Sequence, residues 1–166
     1  MCVDKFHAII KIESMQGLSY RRLHSSAERN ANMNILVVDG QGGGIGRQVI
    51  SALKSKYDNC IITAVGTNSL ATGNMLKAGA DEAATGENAV ITMSRRADII
   101  IGPVGIVIAD SLLGEITPAM AAAAGQSSAK RILIPMNHCD NIIVGVPDLS
   151  TEKLIEYVTE AVGELL

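Results

Sequence analysis

A short aliphatic run that passes straight into a cluster of glycines constrains this chain more than any other feature. Residues 34–39 read NILVVD and residues 40–46 read GQGGGIG. The first run, closed by two valines and an aspartate, is the pattern of a strand buried on both faces. The glycines that follow permit left-handed backbone and close approach of another group to the main chain. Directly after them, Ile45, Val49, Ile50 and Leu53 recur at the one-sided spacing of a surface helix. A strand, a glycine turn and a helix in that order form the entry unit of a parallel α/β sheet. The helix start then offers free N–H groups and partial positive charge to an anion.

The alternation continues along the chain. Residues 60–65 (CIITAV) read as a strand, 69–79 as a helix ended by Gly79, 80–84 as a weak short strand, and 87–94 (ENAVITMS) as a helix behind Gly86. Residues 98–101 (DIII) form the next strand, stopped by Gly102 and Pro103, and 105–114 (GIVIADSLLG) read as a helix closed by Gly114. Thr117 followed by Pro118 is the start signal of another helix, and Ser150 opens the last one. Strands at 131–136 and 142–146 are separated by only five residues, too short a link for a crossover, so an antiparallel hairpin is expected at one sheet edge. The expectation is a Rossmann-like, three-layer α/β sandwich, its mainly parallel sheet in the order 3-2-1-4-5 with an antiparallel edge strand.

That fold begins at Met33. Residues 1–32 hold five basic and three acidic residues, only one of the 16 glycines, and in SYRRLHSSAERNAN no sustained period. They read as an extension outside the fold, disordered or preceding the true start, with residues 33–166 as a Rossmann-like nucleotide-binding domain. The extension lacks the apolar core and cleavage pattern of a secretory signal.

Charge and composition exclude several functions. With a net charge of −3 and only four aromatic residues, the chain has neither a basic surface nor stacking platforms for nucleic acid. Its longest uncharged stretch, residues 59–76, is broken by Asn and Thr and falls short of a spanning helix, so no membrane partner is expected. Three scattered cysteines make neither a disulfide framework nor a metal knuckle, and a cytoplasmic location follows as the default.

In the glycine cluster, Gly40, Gly44, Ile45 and Gly46 reproduce GxxxGIG, so the region resembles the nucleotide loop of short-chain dehydrogenases. The resemblance implies NAD or NADP as cofactor. Two parts of that family's pattern are missing: neither Tyr57 nor Tyr157 has a lysine four residues on, and no acid ends the second strand to hold ribose hydroxyls. The neutral Gly66, Thr67, Asn68 and Ser69 found there suit a 2′-phosphate or a shorter nucleotide. The loop is also similar to the first motif of S-adenosylmethionine-dependent methyltransferases, again without their ribose-binding acid. A Walker loop is excluded because the cluster contains no lysine.

Over residues 33–166 the chain resembles an uncharacterised prokaryotic family, a domain of unknown function. The segments that carry the resemblance are DGQGGGIG, ITAVGTNS, ATGENA, GIVIAD, LLGEITPAMA and the NHC of residues 137–139. It implies a Rossmann-like fold and no known reaction.

Loops that follow parallel strands emerge on one sheet edge, where ligands bind. The cofactor-binding candidates are therefore Gly40, Gly42, Gly43, Gly44, Ile45, Gly46, Thr67, Asn68, Gly102 and Pro103. His138, Cys139 and Asp140 join the same edge as catalytic candidates: an acid or base near neutral pH, a nucleophile and a carboxylate. Asp39 is expected to brace the loop rather than react. The reading is a domain that binds a nucleotide or other small phosphorylated ligand. If it is an enzyme, an NAD- or NADP-linked oxidoreductase is favoured. The alternatives are a non-catalytic ligand sensor and a homo-oligomeric scaffold, packed through the Ala-rich AMAAAAG helix and the edge hairpin.

Overall fold

The computed structural model describes residues 32–136 and 142–166. Among the described residues five strands, β1 (Met33–Asp39), β2 (Cys60–Gly66), β3 (Glu82–Thr85), β4 (Ile99–Pro103) and β5 (Lys130–Ile134), form one sheet in the order β3-β2-β1-β4-β5. Every pairing is parallel. β1 is central: it pairs with β2 from Met33↔Cys60 to Asp39↔Gly66 and with β4 from Ile35↔Ile99 to Val37↔Ile101.

Alternate residues of the central strands enter two separate cores. Ile35, Val37, Ile99 and Ile101 pack with Val49, Ile50 and Leu53 of α1 (Gly44–Lys56), Met75 of α2 (Ser69–Lys77) and Val158 of α5 (Thr151–Gly163). Leu36, Val38 and Ile100 pack on the opposite face with Val90 of α3 (Glu87–Ser94) and Met120 of α4 (Pro118–Gln126). Both faces of a parallel sheet are thereby covered, which is why β1 and β4 are continuous aliphatic runs with so few aromatics. Thr117 and Ser150 cap helices as expected, each through a side-chain oxygen, with Pro118 in the first turn after Thr117; Asn68 does the same for α2. Among the described residues no helix is long and apolar enough to cross a membrane.

Two expectations are corrected. The antiparallel edge strand at 142–146 does not form. That segment makes a turn in which Val146 N–H donates to the Ile143 carbonyl at 3.3 Å, with Gly145 at φ 85°. Strand propensity reflects how well a side chain fits a half-buried pleated surface. Here Ile142 and Val144, 91% and 92% exposed, have no sheet face to enter. The helix expected at 105–114 is likewise replaced, by a 3-10 turn at Val104–Val107 and a chain of turns. Asp110, Leu112, Leu113 and Gly114 all take positive φ, at 61°, 54°, 59° and 84°. The Ser111 hydroxyl donates to the Gly105 carbonyl at 2.5 Å, and the Asp110 N–H reaches the Ile116 carbonyl at 2.8 Å. The segment closes on itself instead of extending as a helix, and Leu112 and Ile116 plug the second core.

Candidate functional site

At the carboxyl edge of the sheet, the glycine loop is organised by two carboxylates of the protein itself. Asp39, at the end of β1, is 5% exposed; Oδ1 accepts the Gly40 N–H at 2.8 Å and Oδ2 the Gly46 N–H at 2.7 Å. Its carboxylate thus sits at the start of α1 and satisfies part of that helix's unpaired N-terminus. Burial pushes the Asp39 pKa up, against the backbone bonds from Gly46, Gly40 and Ile45, and the nearby charge of Glu115 raises it further.

Glu115 arrives from the looped segment after β4. Its Oε2 accepts the Gln41 N–H at 2.7 Å, the Asn68 side-chain amide at 3.1 Å and the Thr67 hydroxyl. One oxygen therefore joins the loops that follow β1, β2 and β4. Burial raises the Glu115 pKa, but the bonds from Thr67, Gln41 and Asn68 outweigh it and hold the carboxyl below its ordinary value. Asn68 is fully engaged: it caps α2 through Ala71 N–H at 2.9 Å and donates to the Gln41 carbonyl at 2.9 Å as well as to Glu115. Asn74 of α2 holds the loop's other side, donating to the Gly42 carbonyl at 2.9 Å.

The glycines divide into two kinds. A Cβ on Gly40 would meet Glu115 Oε2 at 2.8 Å, one on Gly43 the Ala71 backbone at 2.8 Å, and one on Gly46 the Met75 sulfur. These positions are small because the protein packs against them. Gly42 and Gly44 are different: both are exposed, and an added Cβ would meet nothing within 4 Å. Their N–H groups donate to no acceptor among the described residues, whereas those of Gly40, Gln41, Gly43 and Gly46 all do. Ile45, half-buried, packs against the first core. Gly102 and Pro103 are buried at the end of β4, where a Cβ on Gly102 would strike the Val38 carbonyl.

The structure thus brings the glycine loop, Thr67 and Asn68 together. His138, Cys139 and Asp140 lie outside the described residues, as does the expected extension apart from Asn32. Glu115 is not legible in the sequence, because a helix over residues 105–114 would carry the following residue away from the edge. The signal available was an acid directly after Gly114, in a connection leaving the carboxyl end of a central strand. Concavities among the described residues lie away from the glycine loop. One is lined by Asn34, Thr63, Glu82 and Arg96, another by Ile134, Pro147, Leu154 and Tyr157.

Glu115 also sets a pH dependence. A carboxyl whose pKa is lowered by folding stabilises the native state above its unfolded value, ordinarily 4.5, and that contribution is lost as pH falls through the folded value. Asp39 acts in the opposite sense: a raised pKa favours the fold below the ordinary 3.8 and ceases to do so as pH rises through the folded value. Glu115→Gln is therefore expected to flatten the acid side of the stability curve, its deficit relative to the native protein shrinking below about pH 4.5. Urea midpoints from pH 2.5 to 7 measure this. Parallel curves for the two proteins would show that the Glu115 network adds no pH-dependent stability.

With this geometry in place, the comparisons with known proteins are few. A family model described as Domain of unknown function (DUF3842) matches residues 34–166. No curated protein matches the chain. Among solved structures the chain is similar to a dodecameric FMN-dependent Ubix-like decarboxylase from Escherichia coli O157:H7, with TM-score 0.43 and 18% identity. The match covers 79% of this chain and 76% of that one. A likeness at that level brings no ligand or chemistry with it.

Proposed function

The chain belongs to the DUF3842 family, and on that premise we propose that its glycine loop binds a small phosphorylated ligand of the nucleotide class, with NAD and NADP among the candidates. One observation carries this reading. Gly42 and Gly44 are the two loop glycines whose missing side chains the protein does not itself need, and their N–H groups donate to no described acceptor. Gly44 is the first residue of α1 and Gly42 lies just before its N-cap, Gly43, where backbone donors and the helix dipole favour an anion. The Gly40 and Gly46 N–H groups are already spent on Asp39, that of Gln41 on Glu115 and that of Gly43 on the Gly40 carbonyl, so the Gly42 and Gly44 amides are the loop glycine donors left to hold one phosphate group. The proposal concerns binding. A reaction would need groups beyond those the loop provides.

The test is to purify the protein natively, release and identify any bound small molecule, and titrate NAD(H), NADP(H), ATP and S-adenosylmethionine by thermal shift. Gly44→Val is expected to weaken the responding ligand at least tenfold while leaving the fold intact, since its side chain enters open space rather than a packed neighbour. Unchanged affinity in that variant, or no response to any nucleotide together with no co-purified ligand, would leave the loop as a structural turn.

A further inference from the structure

Glu115 adds a specificity to that site. We propose, resting on the phosphate reading above, that Glu115 selects a ligand carrying a free vicinal diol of the ribose kind beside its phosphate and rejects one phosphorylated at that diol. All three donors that fix the side chain converge on Oε2, while Oε1 accepts no hydrogen bond from the described residues. An ionised carboxylate is acceptor-only, so whatever completes Oε1 must bring a donor, as a hydroxyl does and a phosphate does not.

The position suits a sugar. Glu115 contacts Gln41, the residue directly before the open Gly42 amide, and Thr67 and Asn68 at the end of β2. In dinucleotide folds, the acid that holds the ribose hydroxyls stands at that strand end. Here β2 ends in neutral residues, and the carboxylate comes from the connection after β4 instead. The neutral Gly66-Thr67-Asn68-Ser69 segment is therefore not a neutral site for a 2′-phosphate, because an acid from elsewhere accepts hydrogen bonds from Thr67 and Asn68. Folding holds this acid ionised rather than neutral, and a second anion brought into contact with it in a half-buried setting is repelled.

The experiment compares three probes on the purified full chain by titration calorimetry: adenosine 5′-monophosphate, its 2′-deoxy analogue, and adenosine 2′,5′-bisphosphate. Loss of the 2′-hydroxyl is expected to weaken binding roughly tenfold, as for a hydrogen bond to a charged group, and the added 2′-phosphate by at least as much. In Glu115→Gln, whose amide oxygen still accepts from Gln41, Thr67 and Asn68, the three affinities are expected to fall within roughly threefold of one another. Equal affinities in the native protein would overturn the selection by Glu115 while the phosphate site stands. Failure of all three probes, in a protein whose natively bound ligand is lost on Gly44→Val, would overturn it in the same way. Failure of all three with no native ligand overturns both proposals.

Discussion

Replacing Asp39 by alanine is expected to cost about 3 kcal/mol of stability, because two buried N–H groups, those of Gly40 and of Gly46 in the first turn of α1, are left without an acceptor. The reason lies in its placement. The side chain is 5% exposed and receives both Gly40 and Gly46 N–H groups within 2.8 Å, so water cannot easily take its place. At this chain length such a loss corresponds to a fall in melting temperature on the order of 10 °C. Asp39→Asn separates geometry from charge: its amide oxygen can accept from one N–H, but its NH2 group faces the other. The asparagine variant should therefore recover only part of the loss. Thermal and urea unfolding measure both variants, and a change below about 1 kcal/mol for the alanine would show that the loop holds its shape without the carboxylate.

Gly43→Ala is expected to be equally damaging for a different reason. Gly43 precedes α1 at φ 64°, and a Cβ there would lie 2.8 Å from the Ala71 backbone of α2. Left-handed backbone costs a side chain about 1–2 kcal/mol, and forced contact with main chain, which cannot rotate away, adds a similar amount. A total near 3 kcal/mol is expected. Gly44→Ala, one residue on, is the internal control: helical backbone and open space predict a change within about 0.5 kcal/mol. If the two variants unfold alike in urea, the close approach of α2 to the loop is not what makes residue 43 a glycine.

Much of the fold follows from local patterns. Continuous aliphatic runs such as NILVVD and DIII can satisfy both faces only between two layers of helices, and caps at Thr117 and Ser150 mark helix starts by side-chain chemistry alone. What the chain does after β4 was not legible in the same way. GIVIADSLLG has helical composition, yet Ser111 turns its hydroxyl onto the Gly105 carbonyl and three non-glycine residues accept positive φ, outcomes that depend on packing Leu112 and Ile116 into the sheet. The same limit explains IIVGV, whose β-branched residues promise a strand only where a sheet face is available to receive them.

At the candidate site, the glycine cluster and the neighbouring Thr67 and Asn68 were readable because topology alone sends those loops to one edge. Which glycines serve packing and which stand open is a matter of tertiary contact. Residues 40, 43 and 46 are indistinguishable from 42 and 44 until α2 and Glu115 are in place. Glu115 is the deepest such case, since its meeting with Gln41 spans 74 residues of sequence.

The central position of β1 has a consequence in time. β1 is the first of the described strands to be made, yet its partner on one side, β4, lies 64 residues later, with Asn34 meeting Asp98 at the start of that pairing. At ordinary synthesis rates of 5–20 residues per second, one side of NILVVD waits on the order of 3 to 13 seconds for its neighbour. β2 and α1 follow closely and can cover the other side and one face. The sheet is therefore assembled outward from a half-dressed core, and of the three interior strands the one that carries Asp39 and the glycine loop waits longest for its second neighbour.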